Sequence, residues 1–256
     1  MRPKKSYGQH FLKSESISQK IAQSLTLETT RNILEVGPGK GILTNVLLQL
    51  NDANLKVVEA DEDMVKYLQK TKILSEDQIL FQDFLKLDLS KVFDGESFAL
   101  IGNYPYNISS QIIFAMLDHH LLIPEMVGMF QKEVADRIVS PPGSKTYGII
   151  SVLVQAYYEG TSLFDISPES FNPPPQVMSS VIRLERLAEP RVKSNEKLFR
   201  SIVKQSFGQR RKMLRNTLKS FIQNTDLVDN PIFNQRPEQL GVDEFVYITE
   251  LIKSKN

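Results

Sequence analysis

Asn103-Tyr104-Pro105-Tyr106 is the stretch whose residue types could do chemistry. An Asn side-chain oxygen accepts a hydrogen bond from an exocyclic amine. The residue before a proline is pushed toward extended backbone, which turns its carbonyl to the same amine. A Tyr after the proline offers a flat face on which a nucleobase stacks. Asn103, the carbonyl of Tyr104 or Pro105, and Tyr106 would together clamp an aromatic amino group. The stretch follows an apolar run, Phe98-Ala99-Leu100-Ile101-Gly102, which reads as a strand. The clamp then stands at the carboxyl end of a strand, where open α/β sheets bind ligands.

Upstream, three more strand ends carry polar residues. Asn32–Val36 runs into Gly37-Pro38-Gly39-Lys40-Gly41 and then a helix from Ile42 to about Leu50. Gly37 and Gly39 let backbone amides approach a ligand closely. The third glycine of the dinucleotide fingerprint would fall at Ile42, and no Lys-Ser/Thr pair follows, so the loop suits a ligand without a pyrophosphate. The second strand, Leu55–Val58, ends in Glu59-Ala60-Asp61. An acid at Glu59, about 20 residues after the glycine loop, is placed to bond both hydroxyls of a ribose. The third strand, Gln78–Phe81, leads to Asp83, which can accept from an adenine amine, with Phe84 beside it. With helices over about 15–25 and 62–71, these βα units read as half of a doubly wound sheet.

Beyond the clamp the pattern predicts a helix over Ser109–His120, a strand over Met126–Phe130 and a helix over Lys132–Val139. A helix over Thr146–Tyr157 and strands near Leu163–Ile166 and Ser180–Leu187 follow. Phe171-Asn172-Pro173-Pro174-Pro175 is a stiff extended segment able to hold Phe171 in a fixed place. Ala188–Ser194 reads as a junction, and helices are expected over about 195–206, 210–223 and 243–254. The second of these opens with Arg210-Arg211-Lys212 and adds Arg215 and Lys219, with Leu214, Leu218, Phe221 and Ile222 as its apolar face. Such a basic face suits phosphate contacts. The fold class is therefore α/β: a Rossmann-like sheet domain over 1–187 and a small all-helical domain over 188–256.

Composition narrows the function. The chain of 256 residues has the apolar and charged fractions of an ordinary globular protein, 41% and 24%. No run approaches the ~18 apolar residues of a membrane span, and no apolar segment follows the basic start, so neither a span nor a signal peptide is expected. The absence of cysteine excludes disulfides, thiol catalysis and thiolate zinc sites. Three histidines, two of them adjacent (His119, His120), are too few for a usual metal site. A cytoplasmic protein without a metal is expected. The net charge of +1 hides an asymmetry: from Ala188 onward 13 basic residues face 8 acidic ones, leaving 18 against 22 in the rest. The first 13 residues carry Arg2, Lys4, Lys5 and Lys13 and no acid, so residues 1–13 read as a basic arm. Two basic ends on a mildly acidic body suit an anionic polymer.

In order along the chain stand Gln9-His10-Phe11-Leu12, Glu35-Val36-Gly37-Pro38-Gly39-Lys40-Gly41, Glu59-Ala60-Asp61, Gln82-Asp83-Phe84, Asn103-Tyr104-Pro105-Tyr106-Asn107, Phe171–Val181 and Phe207–Asn216. With these motifs the chain resembles, over nearly its full length, the rRNA adenine N6-methyltransferases of the KsgA/Erm type. The resemblance implies a class I methyltransferase sheet and S-adenosylmethionine as donor. It implies that Gln9, His10, Leu12, Gly37 and Gly39 surround the cofactor's methionine end, that Glu59 and Ala60 lie at its ribose, and that Asp83 and Phe84 lie at its adenine. Asn103 and a carbonyl of Tyr104 or Pro105 would hold the target N6, with the base between Tyr106 and Phe171. Arg2, Lys4, Lys5, Arg210, Arg211, Lys212 and Arg215 would contact RNA. The family usually has Leu where this chain has Tyr104. Within the family the resemblance points most closely to dimethylation of two adjacent adenines near the 3′ end of small-subunit rRNA, by a monomer acting on the assembling subunit. The alternatives are a large-subunit rRNA methyltransferase of the Erm type and a non-catalytic assembly factor.

Overall fold

Short apolar strands punctuated by glycine and polar residues build the first of two units. A computed structural model describes residues 8–223 and 225–255. The first unit comprises the chain up to Ala135 together with Thr161–Arg186, and the second comprises Asp136–Gly160 and the chain from Leu187 onward.

The sheet strands are β1 Asn32–Val36, β2 Asn54–Glu59, β3 Ile79–Phe81, β4 Ala99–Asn103, β5 Glu125–Gln131, β6 Tyr158–Ile166 and β7 Ser179–Arg186. Their spatial order is β3-β2-β1-β4-β5-β7-β6. The pairs β3–β2, β2–β1, β1–β4 and β4–β5 are parallel, and β7 runs antiparallel to β5. Ile33, Leu34, Val57, Val58, Leu100 and Ile101 are buried. Such runs without alternation are what a parallel sheet covered on both faces requires. The order reverses between β1 and β4, so the glycine loop and the Asn103 stretch leave neighbouring strands at the switch point of the sheet.

The helices of this unit follow the expected βα rhythm. They are α1 Glu15–Ala22, α2 Ile42–Leu47, α3 Glu62–Thr71 and α4 Ser109–Asp118, with α5 Lys132–Val139 leading out of β5. Ser14 caps α1 through Ile17 N (3.3 Å), and Asp61 caps α3 through Asp63 N (3.0 Å). The first loop is more ordered than its sequence suggests. Phe11 and Leu12 pair antiparallel with Asn172 and Phe171, a two-residue ladder apart from the main sheet.

The second unit holds α6 Ile149–Gln155, α7 Glu196–Phe207, α8 Leu214–Thr217, α9 Lys219–Ile222 and α10 Val242–Lys253. The expected division at 187 leaves 136–160 with the sheet domain, whereas by contacts this segment clusters with the C-terminal helices. The edge of the Tyr147 ring meets Phe207 at 6.0 Å, and Ser151 Oγ bonds the Arg137 carbonyl. The helix expected over 210–223 is also corrected. Arg210–Lys212 lie in a turn, Met213 is extended, and the helical residues split at Leu218 into α8 and α9. Leu214 N bonds Gln235 O (2.9 Å), a partner outside any helix of its own, which starts α8 afresh there. Leu214, Leu218 and Ile222 are still the buried face. Among the described residues, no helix is long and apolar enough to cross a membrane.

Candidate active site

The carboxyl ends of β1, β2, β3 and β4 open onto one cavity of about 580 Å³. The Gly37–Lys40 loop, Glu59, Ala60, Asp83, Phe84, Asn103–Ile108 and the Gly8–Leu12 segment line it. The expected cofactor residues Gln9, His10, Leu12, Gly37, Gly39, Glu59, Ala60, Asp83, Phe84 and Asn103 are thus brought together, although they come from five separate segments.

Each is held for a local reason. Gly37 has a left-handed backbone (φ +70°), and a methyl group built on it would meet nothing within 4 Å, so the loop turns there beside open space. Its N–H donates to Val58 O of β2 at 2.9 Å. The Glu59 carboxylate accepts from Asp61 N (2.9 Å) and Gly39 N (3.4 Å). Each oxygen keeps a lone pair for a hydroxyl donor. Burial pushes the Glu59 carboxyl up from its ordinary value, against the pull of those backbone bonds. Asp83 caps the turn after β3 through Leu85 N (3.0 Å), and Phe84 is buried behind it.

The clamp is organised from a distance. Asn103 Nδ2 donates to the His10 carbonyl at 2.8 Å. A carbonyl only accepts, so this bond assigns the amide orientation and leaves Asn103 Oδ1 as the acceptor on offer. His10 Nδ1 lies 2.8 Å from Pro173 O, and by the same reasoning Nδ1 carries the proton. Its ring stacks on Tyr106, with centroids 5.4 Å apart and planes at 28°. The Tyr106 hydroxyl is 2.6 Å from Ser179 Oγ. Gln9 Nε2 donates to Asp61 Oδ2 at 2.8 Å and pins the first loop over the end of β2.

Glu35 and Asp61 are site residues for which the sequence reading has no role. Glu35 is buried on β1 and lines the cavity, accepting from Thr44 Oγ1 at 2.7 Å. Burial pushes its carboxyl up to about 8, the Thr44 bond opposes this, and the nearby Glu59 adds to it. The signal was present: an acid inside an otherwise apolar parallel strand is costly unless it serves a site.

Phe171 is a correction. It was expected on the far face of the target base, but its side chain is 1% exposed and packs in the core with Leu12, its ladder partner. A second hollow of about 600 Å³ shares Gly8–His10 and Tyr106 with the first and is completed by Gln131 and Asn172–Val177. Phe171 lines neither. Arg210 has partners inside the protein. Its guanidinium donates to Lys145 O (2.7 Å) and Ser144 O (3.0 Å) and faces Glu238 at 3.9 Å, so it ties a loop of its own unit. Arg215 donates to Asn234 Oδ1 at 3.1 Å. Arg211 and Lys212 are exposed. Arg2, Lys4 and Lys5 lie outside the described residues. Among the described residues, no group of three His, Asp or Glu side chains is placed to hold a metal ion.

A sheet of order 3-2-1-4-5-7-6 with a glycine loop, a buried acid after the second strand and an Asn-x-Pro-Tyr clamp at the fourth defines a class I S-adenosylmethionine-dependent methyltransferase. The cavity volume lies within the range of small-molecule and cofactor sites. The open space at Gly37 and the acceptors on Glu59 and Asp83 fit a nucleoside cofactor. The family model described as ribosomal RNA adenine dimethylase matches residues 1–243, and the chain belongs to that family. It is 52% identical to the ribosomal RNA small subunit methyltransferase A of Phocaeicola vulgatus, over 99% of this chain and 91% of that one. It is 47% identical to the protein of the same name from Flavobacterium johnsoniae, over 99% and 97%. In fold it is similar to a dimethyladenosine transferase from Plasmodium falciparum, with a TM-score of 0.79, 24% identity and coverage of 96% and 98%. It is also similar to the 23S rRNA methyltransferase ErmE, with a TM-score of 0.64, 23% identity and coverage of 95% and 99%.

Proposed function

We propose that this enzyme dimethylates N6 of two adjacent adenines near the 3′ end of small-subunit rRNA, acting as a cytoplasmic monomer on the assembling small subunit. The relatives named for the small subunit, at 47–52% identity over nearly the whole chain, support that substrate. The observation that carries the chemistry is the bond from Asn103 Nδ2 to the His10 carbonyl, which leaves Oδ1 as the free acceptor.

Glu59 would take the ribose hydroxyls of S-adenosylmethionine, Asp83 and Phe84 its adenine, and Gln9, Gly37 and Gly39 its methionine end. When bound, the cofactor supplies a methyl group already activated by its sulfonium. What remains for the protein is positioning. An adenine amine is a weak nucleophile because its lone pair is delocalised into the ring. Two acceptors, one on each N6 hydrogen, favour a pyramidal nitrogen with its lone pair directed out of the ring plane. Asn103 Oδ1 is one. The second is a carbonyl of Tyr104 or Pro105; Pro105 O also accepts from Ile108 N at 3.1 Å, which leaves Tyr104 O the less engaged of the two. Tyr106 would stack under the base and offset part of the cost of unstacking it, about 1–3 kcal/mol per base. As the methyl leaves the sulfonium as a neutral thioether, the methylated nitrogen becomes cationic and sheds one proton to water, so N6 keeps one hydrogen and the second transfer engages only one of the two acceptors.

The test uses small subunits from cells lacking their own adenine dimethyltransferase, labelled S-adenosylmethionine and mass spectrometry of the digested nucleosides. N6,N6-dimethyladenosine at adjacent positions, absent with Asn103→Ala, is the expected outcome. Label on large-subunit RNA alone would overturn the assignment.

A further inference from the structure

Tyr104, where the resemblance leads one to expect Leu, sits on two glycines. Gly102 on β4 is the register partner of Gly128 on β5. A Cβ built on Gly128 would stand 2.1 Å from Tyr104 Cε2 and 2.8 Å from Cδ2. One built on Gly102 would stand 3.0 Å from Cε1 and 3.2 Å from Cδ1. One edge of the phenol ring therefore lies over each glycine. Phe130 flanks it at 5.1 Å between centroids, with the planes at 50°. A glycine inside a strand often marks close approach by another group: at Gly128 that group is first the Tyr104 ring and then Phe130 Cε2 at 2.7 Å, while at Gly102 the Val36 carbonyl comes nearer still, at 2.6 Å. The ring is 1% exposed, and its hydroxyl is enclosed with no hydrogen-bond partner.

The backbone of Tyr104 is held from the other side as well, its N–H donating to Met129 O at 3.3 Å. Ring and amide together fix the peptide between Asn103 and Pro105. We propose that Tyr104 is the positioning residue of the amine clamp, and that Gly128 is its size-matched counterpart, the two acting as one unit. The inference rests on the reading of Asn103 Oδ1 and Tyr104 O as the acceptors of the amine. It assigns the work to the ring and none to the hydroxyl, which has no hydrogen-bond partner. The second methyl transfer is the more sensitive step, because the monomethylated amine is bulkier and is gripped by a single hydrogen. A clamp that has lost its anchor therefore releases monomethyladenosine.

Five variants in the full-length enzyme test this: Tyr104→Leu, Tyr104→Phe, Gly128→Ala, the double variant Tyr104→Leu/Gly128→Ala, and Asn103→Ala. Each is read for melting temperature, S-adenosylmethionine affinity by calorimetry, kcat and KM on small subunits, and the ratio of mono- to dimethyladenosine. Tyr104→Leu should lower kcat by about tenfold to a hundredfold, the scale of a misplaced reacting group. Its cofactor affinity should stay within about threefold, and its monomethyl fraction should rise. Tyr104→Phe keeps the ring and should recover most of that loss. Gly128→Ala should be severely impaired or unfolded beside Tyr104. In the Tyr104→Leu background it should add no further loss, because the vacated ring space takes the methyl and lets Phe130 tilt away.

Wild-type kcat and product ratio in Tyr104→Leu, with Asn103→Ala inactive, would overturn the positioning role and leave the clamp standing. An active Asn103→Ala would overturn the clamp itself. An equal penalty from Gly128→Ala in both backgrounds would overturn the pairing. Loss of kcat in Tyr104→Phe at unchanged melting temperature would move the role from ring to hydroxyl. Should Gly128→Ala not fold, the comparison of Tyr104→Leu with the double variant still decides the pairing.

Discussion

Glu35→Gln turns a buried acid into a measurable pH dependence of stability. In the folded chain the Glu35 carboxyl is pushed from its ordinary 4.5 to about 8 by burial among β-strand residues. Between those two values the folded state holds a proton that the unfolded chain has released. Stability contributed by the neutral carboxyl is therefore complete below about pH 4.5 and is lost as the pH rises through about 8. The interval spans about 3.5 pH units at about 1.4 kcal/mol each, so the full loss is about 5 kcal/mol. That is a large part of the 5–15 kcal/mol by which most domains are stable. Gln at position 35 can still accept from Thr44 Oγ1 but does not titrate. Urea unfolding of the cofactor-free protein at half-unit steps from pH 5 to 9 supplies the assay. The wild-type minus Glu35→Gln difference in unfolding free energy should slope downward between pH 5 and 8 and flatten above. Titration of groups remote from position 35 is common to both proteins and cancels, whereas Glu59, which interacts with Glu35, is compared in a Glu59→Gln background. Parallel stability curves for the two proteins would refute the argument, because they would mean that Glu35 ionises freely in the folded state.

Asn103→Ala should abolish detectable dimethylation, a loss of at least about a hundredfold for removing one preorganised hydrogen-bonding group from an active site. Its cofactor affinity, measured by calorimetry, should change by only a few-fold. Glu59→Ala should weaken S-adenosylmethionine binding by about 1.5–3 kcal/mol, the value of a hydrogen bond to a charged group, and unchanged affinity would remove Glu59 from the site. Arg211→Glu with Lys212→Glu should weaken RNA binding and reduce the slope of log affinity against log salt by about 2. Arg210→Ala should instead lower the melting temperature, since its bonds run to the Ser144 and Lys145 carbonyls, and should leave the salt slope nearly unaltered.

The sheet was legible because parallel strands are written as apolar runs ending in glycine or acid. Asn32–Val36 before Gly37, Asn54–Val58 before Glu59 and Ala99–Gly102 before Asn103 each carry that signature. Gly37, Gly39, Glu59, Asp83 and Asn103 are singled out by strand ends, which the fold brings together whatever lies between, whereas Gln9, His10 and Leu12 come only from the family resemblance. What no local pattern carries is pairing across the chain. The His10 carbonyl that orients Asn103 is 93 residues away, and the Pro173 carbonyl that holds the His10 ring is 163 away from it. Phe171 reads as an available aromatic, yet its two-residue ladder with Phe11 and Leu12 buries it. Charge on alternate turns made 210–223 look like one basic helix. Leu214 N takes its partner from Gln235 O instead, and Arg210 gives two of its five donors to carbonyls inside the protein. Tyr104 stood out as a departure, but the glycine that accommodates it lies on the next strand, 24 positions along the chain.

The threads that finish the clamp also set when it is complete. Asn103 takes its orientation from His10, His10 is secured by Pro173, and Tyr106 is tied to Ser179. A ribosome making this chain releases its amino end first, so the Asn103 stretch is made after its His10 partner but well before Pro173 and Ser179. A nascent chain stopped before Pro173 has every residue of the Asn103–Tyr106 clamp and both partners of the Asn103–His10 bond, but lacks the carbonyl that holds the His10 ring and the hydroxyl that meets Tyr106. The full set of fastenings around the clamp is therefore complete only once the chain has been made as far as Ser179.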